Sequence, residues 1–164
     1  MGVVDVVVQE QPVHVLTAVL KAFLREMPQP LLTYERYDQF LRAADIADEK
    51  ERVSFLMALT QQLPAAHFDL LERLVFHLTR VALNEKSNRM SANALAIVFA
   101  PCILRTSRLQ QVHHPPIQLF SFLVSHPVVA FEQGRTSAAS ISFRQVFSTS
   151  FGLMLSVWKL VRLG

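Results

Sequence analysis

Glycine is scarce, with only four in 164 residues, alongside abundant Leu, Ala, Val and Phe. That composition disfavours a turn-rich β-sandwich and any nucleotide fold that depends on a glycine loop to cradle phosphate. Cysteine occurs once, at Cys102. A disulfide within the chain is therefore excluded, and a cytoplasmic location is expected. Basicity is missing from the body of the chain: residues 1–105 carry 11 Lys/Arg against 12 Asp/Glu, while residues 106–164 carry 5 against 1. A nucleic-acid binder working through a broad phosphate footprint needs a basic face, so no nucleic-acid partner is expected. The start, Met1–Val8, has neither a basic region nor a sustained apolar core, so it does not read as a signal peptide. Gly2 meets one requirement for myristoylation, but Val6 stands where Ser or Thr is needed.

Chemistry-bearing constellations are absent too. His14, His67 and His77 have no metal-ligand spacing with Cys102 or with paired carboxylates, so structural histidines are expected and no metal site. His113-His114 beside two prolines reads as loop. No Ser-His-Asp order or carboxylate cluster argues for catalytic chemistry of the chain's own.

What the chain has is apolar periodicity. With 51% hydrophobic residues it can bury the core of one globular domain, and the fold class is all-α. Pro12 opens a helix whose Val13, Leu16, Leu20, Phe23, Leu24 and Met27 recur at spacings of three and four, and Met27-Pro28-Gln29-Pro30 ends it. Lys21 and Arg25, four apart, form a compact cationic pair on one side of that helix. Thr33 is placed as the N-cap of a second helix through Tyr37, Phe40 and Leu41. Asp48 with Glu51 resembles a capping box, followed by a stripe at Val53, Leu56, Met57 and Leu63. After Pro64, Phe68, Leu71, Leu74, Val75, Leu78 and Val81 mark the strongest helix, about five turns long. Residues 84–88 read as a polar connector. Ser91 caps a last body helix, through Leu95 and Phe99 to Pro101, that is apolar on nearly every face and too short for a membrane span of about 20 residues.

Beyond Arg105 the character changes to a Phe-rich stretch, Ser-rich residues 137–150 and an apolar end at 151–163, with no capped helix of good period expected before residue 150. The basic apolar segment Ser156–Leu163 is the only place where membrane contact has footing, and a tail that is unpacked or buries itself is the stronger expectation. The domain reading is an N-terminal remnant at 1–11, a helical body at 12–105 and a divergent, partly disordered or loosely helical tail at 106–164.

Two blocks carry a family resemblance. Leu20-Lys21-Ala22-Phe23-Leu24-Arg25-Glu26-Met27-Pro28-Gln29-Pro30-Leu31-Leu32 resembles the RhoGAP signature Leu-Lys-x-x-Leu-Arg-Glu-Leu-Pro-x-Pro-Leu-[Leu/Met/Ile]. Asn88-Arg89-Met90, continued by Leu95-Ala96-Ile97-Val98-Phe99-Ala100-Pro101, is similar to the family's Asn-[Lys/Arg]-Met-x-x-x-x-Leu-Ala-x-x-Phe-[Gly/Ala]-Pro. With Leu71–Leu78 and Ala94, the chain looks most like the RhoGAP domain of class IX unconventional myosins. The match covers about residues 10–106, the middle of a family domain, so the expectation is a bundle truncated at both ends.

The resemblance implies a helical bundle that docks on a GTP-bound Rho-family small GTPase and accelerates its hydrolysis; GTP and magnesium belong to that partner, and no cofactor of the chain's own is implied. It places Lys21, Arg25, Pro28, Pro30 and Asn93 at or beside the docking surface. In the family an arginine in a Gly-x-x-Arg-x-Ser-Gly loop stabilises charge on the transferring phosphoryl group. No such stretch occurs in this sequence, and Gly134-Arg135-Thr136-Ser137 has neither the spacing nor the position. Catalytic residues are therefore expected to be none, and stimulation of hydrolysis to be impaired. The alternatives are a GTPase-binding module without activation, or a truncated product with an uncovered apolar face. Many family members also carry Asn directly before the Leu-Ala pair. Here that residue is Ala94, and Asn93 points about 100° away around the helix.

Overall fold

The structure, a computed structural model, describes residues 11–106, 117–127 and 131. Among these it contains helices and no strand: α1 (Val13–Glu26), α2 (Tyr37–Asp45), α3 (Glu49–Gln61), α4 (Ala65–Leu83), a single turn α5 (Glu85–Asn88), α6 (Ala92–Ile103) and α7 (Ile117–Ser125). The all-α class stands. The remnant at 1–10, His113-His114, Gly134–Ser137, the Ser-rich stretch and the apolar end lie outside the described residues.

Proline sets both ends of α1. Pro12 precedes the first turn and its carbonyl accepts from the Val15 amide at 2.9 Å. Pro28 excludes its predecessor from helical backbone, and Met27 is accordingly extended at φ −55°, ψ 133°. The connector then dives inward, burying Pro30, Leu31 and Leu32. The Thr33 amide donates to the Pro30 carbonyl at 2.9 Å and closes a turn over Leu31 and Leu32, and Thr33 itself takes left-handed backbone, φ 58°. An N-cap residue needs extended backbone, so Thr33 does not cap α2, which begins four residues later at Tyr37. Its hydroxyl is buried with no hydrogen-bond partner. Burial of the Leu31-Leu32 pair overrides the local preference of a threonine.

Other caps follow the sequence. Asp48 accepts from the Glu51 amide at 2.8 Å to open α3, and Ser91 from the Ala94 amide at 3.1 Å to open α6. The expected stripe of α3 is buried at Leu56 and Leu63, with Leu59 added, while Val53 and Met57 are half-buried. Residues 84–88 form more than a connector, since Glu85–Asn88 makes one helical turn that ends at Arg89 in left-handed backbone, φ 58°.

Helix α4 runs 19 residues and buries Phe68, Leu70, Leu71, Leu74, Val75 and Leu78. His77 is carried into this packing, where burial, reinforced by the Arg80 charge, pushes its pKa down from 6.5 to about 4. The unfolded chain thus binds a proton on His77 that the folded chain refuses. Stability from this group is complete above pH 6.5 and falls as pH drops towards 4, by at most about 3 kcal/mol at roughly 1.4 kcal/mol per pH unit. Urea denaturation at pH 7 and pH 4.5 should show His77→Gln losing less stability on acidification than the unaltered chain; parallel losses would sink this assignment.

Helix α7 gives form to part of the tail. In a stretch expected to be partly disordered or loosely helical, with no capped helix of good period, Ile117–Ser125 is helical and buries Leu119, Phe120, Leu123 and Val124 to 1% exposure or less. It packs against α6, α4 and α2. The Thr79 hydroxyl donates to the Val124 carbonyl at 2.7 Å, and the Arg52 guanidinium lies 5.1 Å from the centre of the Phe122 ring. Farther on, Phe131 meets Phe68 edge-on at 5.6 Å between centroids. Its polar residues Gln118, Ser121 and Ser125 recur at spacings of three and four, apart from the buried Leu119, Phe120, Leu123 and Val124, so the segment carries a helical period, but one confined to nine residues.

Candidate docking surface

The two family-like blocks fold into helices that touch. Helix α1 packs against α6, and the Leu32 amide donates to the Ile103 carbonyl at 3.1 Å, tying the connector after α1 to the end of α6. Lys21 is half-buried and Arg25 exposed, one turn apart on the same side of α1. Exposed as it is, Arg25 has its Nη1 3.8 Å from Cys102 Sγ, on α6. Cys102 is 2% exposed, packs as a small apolar residue, and its thiol donates to the Val98 carbonyl at 3.5 Å. Of the cationic pair, Arg25 thus touches the neighbouring helix through its guanidinium.

Helix α6 presents one open face. Asn93, Ile97 and Pro101 recur every fourth residue and all three are exposed, with Ala94 and Val98 half-buried between them and α1. Ile97 is 53% exposed, unusual for isoleucine in a helix that otherwise supplies six core residues. The sequence reading treated this helix as central on every side and so missed Ile97. The four-residue spacing of Asn93, Ile97 and Pro101 is the signal that marks the open face. Asn93 sits near the start of the helix, about 13 Å along the axis from Cys102 at about 1.5 Å per residue. Structure thus brings Arg25 to the far end of the stripe from Asn93. Ala94 is half-buried and Asn93 exposed, matching the angular offset expected from helical geometry.

The two prolines part company. Pro28 is exposed beside the end of α1, whereas Pro30 is buried. A buried ring has no surface to offer, so Pro30 shapes the connector and does not itself line the surface. Elsewhere, Glu72 is half-buried on α4, and burial together with nearby Asp69 raises its pKa against the opposing pull of Arg73. His67 contacts the Leu31 carbonyl through Nδ1 at 2.9 Å, a structural tie. Among the described residues no group of three or more His, Cys, Asp and Glu could hold a metal, and no helix is long and apolar enough to cross a membrane.

Comparison with known proteins points the same way. The RhoGAP domain profile matches residues 2–108. Human unconventional myosin-IXa is 52% identical over 104 residues, covering 61% of this chain and 4% of that protein. Rat N-chimaerin is 40% identical over 99 residues, 60% of this chain and 30% of that protein. The chain thus spans a small part of the curated relatives it matches. Among solved structures, the BH domain of GRAF, the GTPase regulator associated with focal adhesion kinase, superposes with a TM-score of 0.62 at 31% identity, covering 74% of this chain and 65% of that one.

Proposed function

The chain belongs to the RhoGAP domain family, and from that membership we propose that it docks on a GTP-bound Rho-family small GTPase through the joint face of α1 and α6. The observation that carries this reading is the Lys21/Arg25 pair on α1, with Arg25 reaching Cys102 on α6, the helix that bears the exposed Asn93–Ile97–Pro101 stripe. Charge and apolar surface then serve different ends. The cations steer and orient an acidic partner surface, and Ile97 supplies the desolvated centre that most binding energy needs. Pro28 borders this face at the end of α1.

The same reading separates docking from activation. Within the 164 residues no Gly-x-x-Arg-x-Ser-Gly stretch occurs, and Arg25 is held on Cys102 rather than carried on a loop that reaches outward. The chain on its own binds the GTPase and contributes little to charge stabilisation during phosphoryl transfer.

Binding is tested by titrating the chain with a Rho-family GTPase loaded with a non-hydrolysable GTP analogue or with GDP. The GTP-like form should bind tighter. Lys21→Ala should weaken it by about tenfold, and Ile97→Asp by 100-fold or more, on the order of 3 kcal/mol for a carboxylate forced into an apolar contact. Equal binding by both nucleotide forms and both variants would remove the proposal.

A further inference from the structure

The last turn of a helix leaves carbonyl groups without amide partners. At the end of α1 the Met27 amide takes the Phe23 carbonyl at 3.1 Å. Arg105, just past the end of α6, takes two more: its Nη1 donates to the Arg25 carbonyl at 2.5 Å and its Nη2 to the Met27 carbonyl at 2.7 Å. These bonds bridge 80 and 78 residues of chain. A planar guanidinium gripping two carbonyls fixes direction as well as distance, and its charge complements the negative end of the α1 dipole.

Arg105 Nε is buried with no hydrogen-bond partner. That desolvation disfavours the position, so the two carbonyl bonds and the charge at the helix end must offset it. The clasp lies directly behind the cationic pair. Its acceptor is the backbone of Arg25, the residue whose side chain rests on Cys102, and the Leu32–Ile103 bond joins the same two segments. That neighbouring tie is backbone to backbone, whereas Arg105 joins the two segments through a side chain that takes two carbonyls, beside the single contact of the Arg25 guanidinium with Cys102.

We propose that Arg105 is a positioning residue for GTPase docking: by clasping the end of α1 it fixes Lys21 and Arg25 in register with Ile97 on α6. The inference rests on the docking role proposed above. A partner that touches both helices at once senses their relative setting, and displacement of about 1 Å is enough to spoil such a constellation.

Titration calorimetry of the full chain with the GTPase in its GTP-analogue form, run well below the melting midpoint, tests it. Arg105→Met keeps the apolar stem and removes the donors. It should raise Kd about tenfold at unchanged stoichiometry, and Arg105→Lys, which keeps one donor arm, should fall between. In a Lys21→Ala background the same Arg105→Met change should cost clearly less than tenfold, because its effect passes through the α1 face. A residue that served stability alone would lower the binding-competent fraction and leave Kd untouched. An unchanged Kd for Arg105→Met while Lys21→Ala weakens binding overturns the positioning role and leaves the docking proposal standing. Strict additivity of the two changes overturns it as well. Absence of binding by the unaltered chain overturns both.

Discussion

Replacing Phe120 by alanine should cost the fold about 3–5 kcal/mol, a large share of the roughly 5–15 kcal/mol that holds an ordinary domain together. Phe120 is 1% exposed, and its helix neighbours Leu119, Leu123 and Val124 are sealed to the same degree. Helix α7 lies against α6, α4 and α2. A missing ring would therefore open a cavity in the shared core and not a dent at its edge. Phe122 is the matched control, since it is half-buried and its ring carries the Arg52 guanidinium at 5.1 Å and the stacked His126 imidazole at 4.4 Å. Phe122→Ala should cost about 1 kcal/mol, the scale of a partly solvated ring contact. Urea denaturation of both variants checks the pair. A loss below 1 kcal/mol at Phe120 would mean that α7 is not part of the core.

That α7 is faint in the sequence while α1, α3, α4 and α6 are plain has a physical cause. Amphipathic helices at a surface advertise themselves, because one side is apolar and the other polar, and the caps at Asp48 and Ser91 add a local hydrogen-bond signal. Ile117–Ser125 does carry a helical spacing, polar at Gln118, Ser121 and Ser125, but over nine residues that signal is short beside the longer stripes of α1 and α4. Thr33 is the converse case: its chemistry suits a cap, yet the turn that buries Leu31 and Leu32 takes it into left-handed backbone. The proposed docking surface is legible where it is local. Lys21 and Arg25 four residues apart form a pair in any helix, whereas the approach of α1 to α6 came from the family resemblance and not from periodicity. Ile97 was hidden by the apolar character of its own helix. Arg105 had no local signal at all, since its acceptors are some 80 residues away. The burial of Pro30 has no local signal either, because a proline that turns the chain looks the same in sequence whether it faces solvent or core.

Mixed in single turnover with a GTP-loaded Rho-family GTPase, the 164-residue chain is expected to accelerate hydrolysis less than a family domain carrying its arginine loop, by on the order of 10³–10⁵. Such a factor follows from the reaction itself. Phosphoryl transfer asks a protein for little covalent chemistry, so most of its contribution is positive charge placed where the equatorial oxygens gather negative charge. Neither cation on the α1 face is built for that. Lys21 is half-buried on the helix surface, and the Arg25 guanidinium lies on Cys102 while its own carbonyl is held by Arg105. Both are anchored on a rigid helix, suited to contact across a broad face and not to insertion into a partner's nucleotide site. The measurement must be made at chain concentrations above the Kd found by calorimetry, so that a slow rate reports missing chemistry and not missing complex. Under those conditions a segment bearing Gly-x-x-Arg-x-Ser-Gly joined ahead of α1 should restore acceleration without tightening binding to match, because its arginine acts in the transition state more than in the bound ground state. Full acceleration by the unaltered chain would sink the expectation, and its loss in Arg25→Ala would then identify Arg25 as the source of the charge.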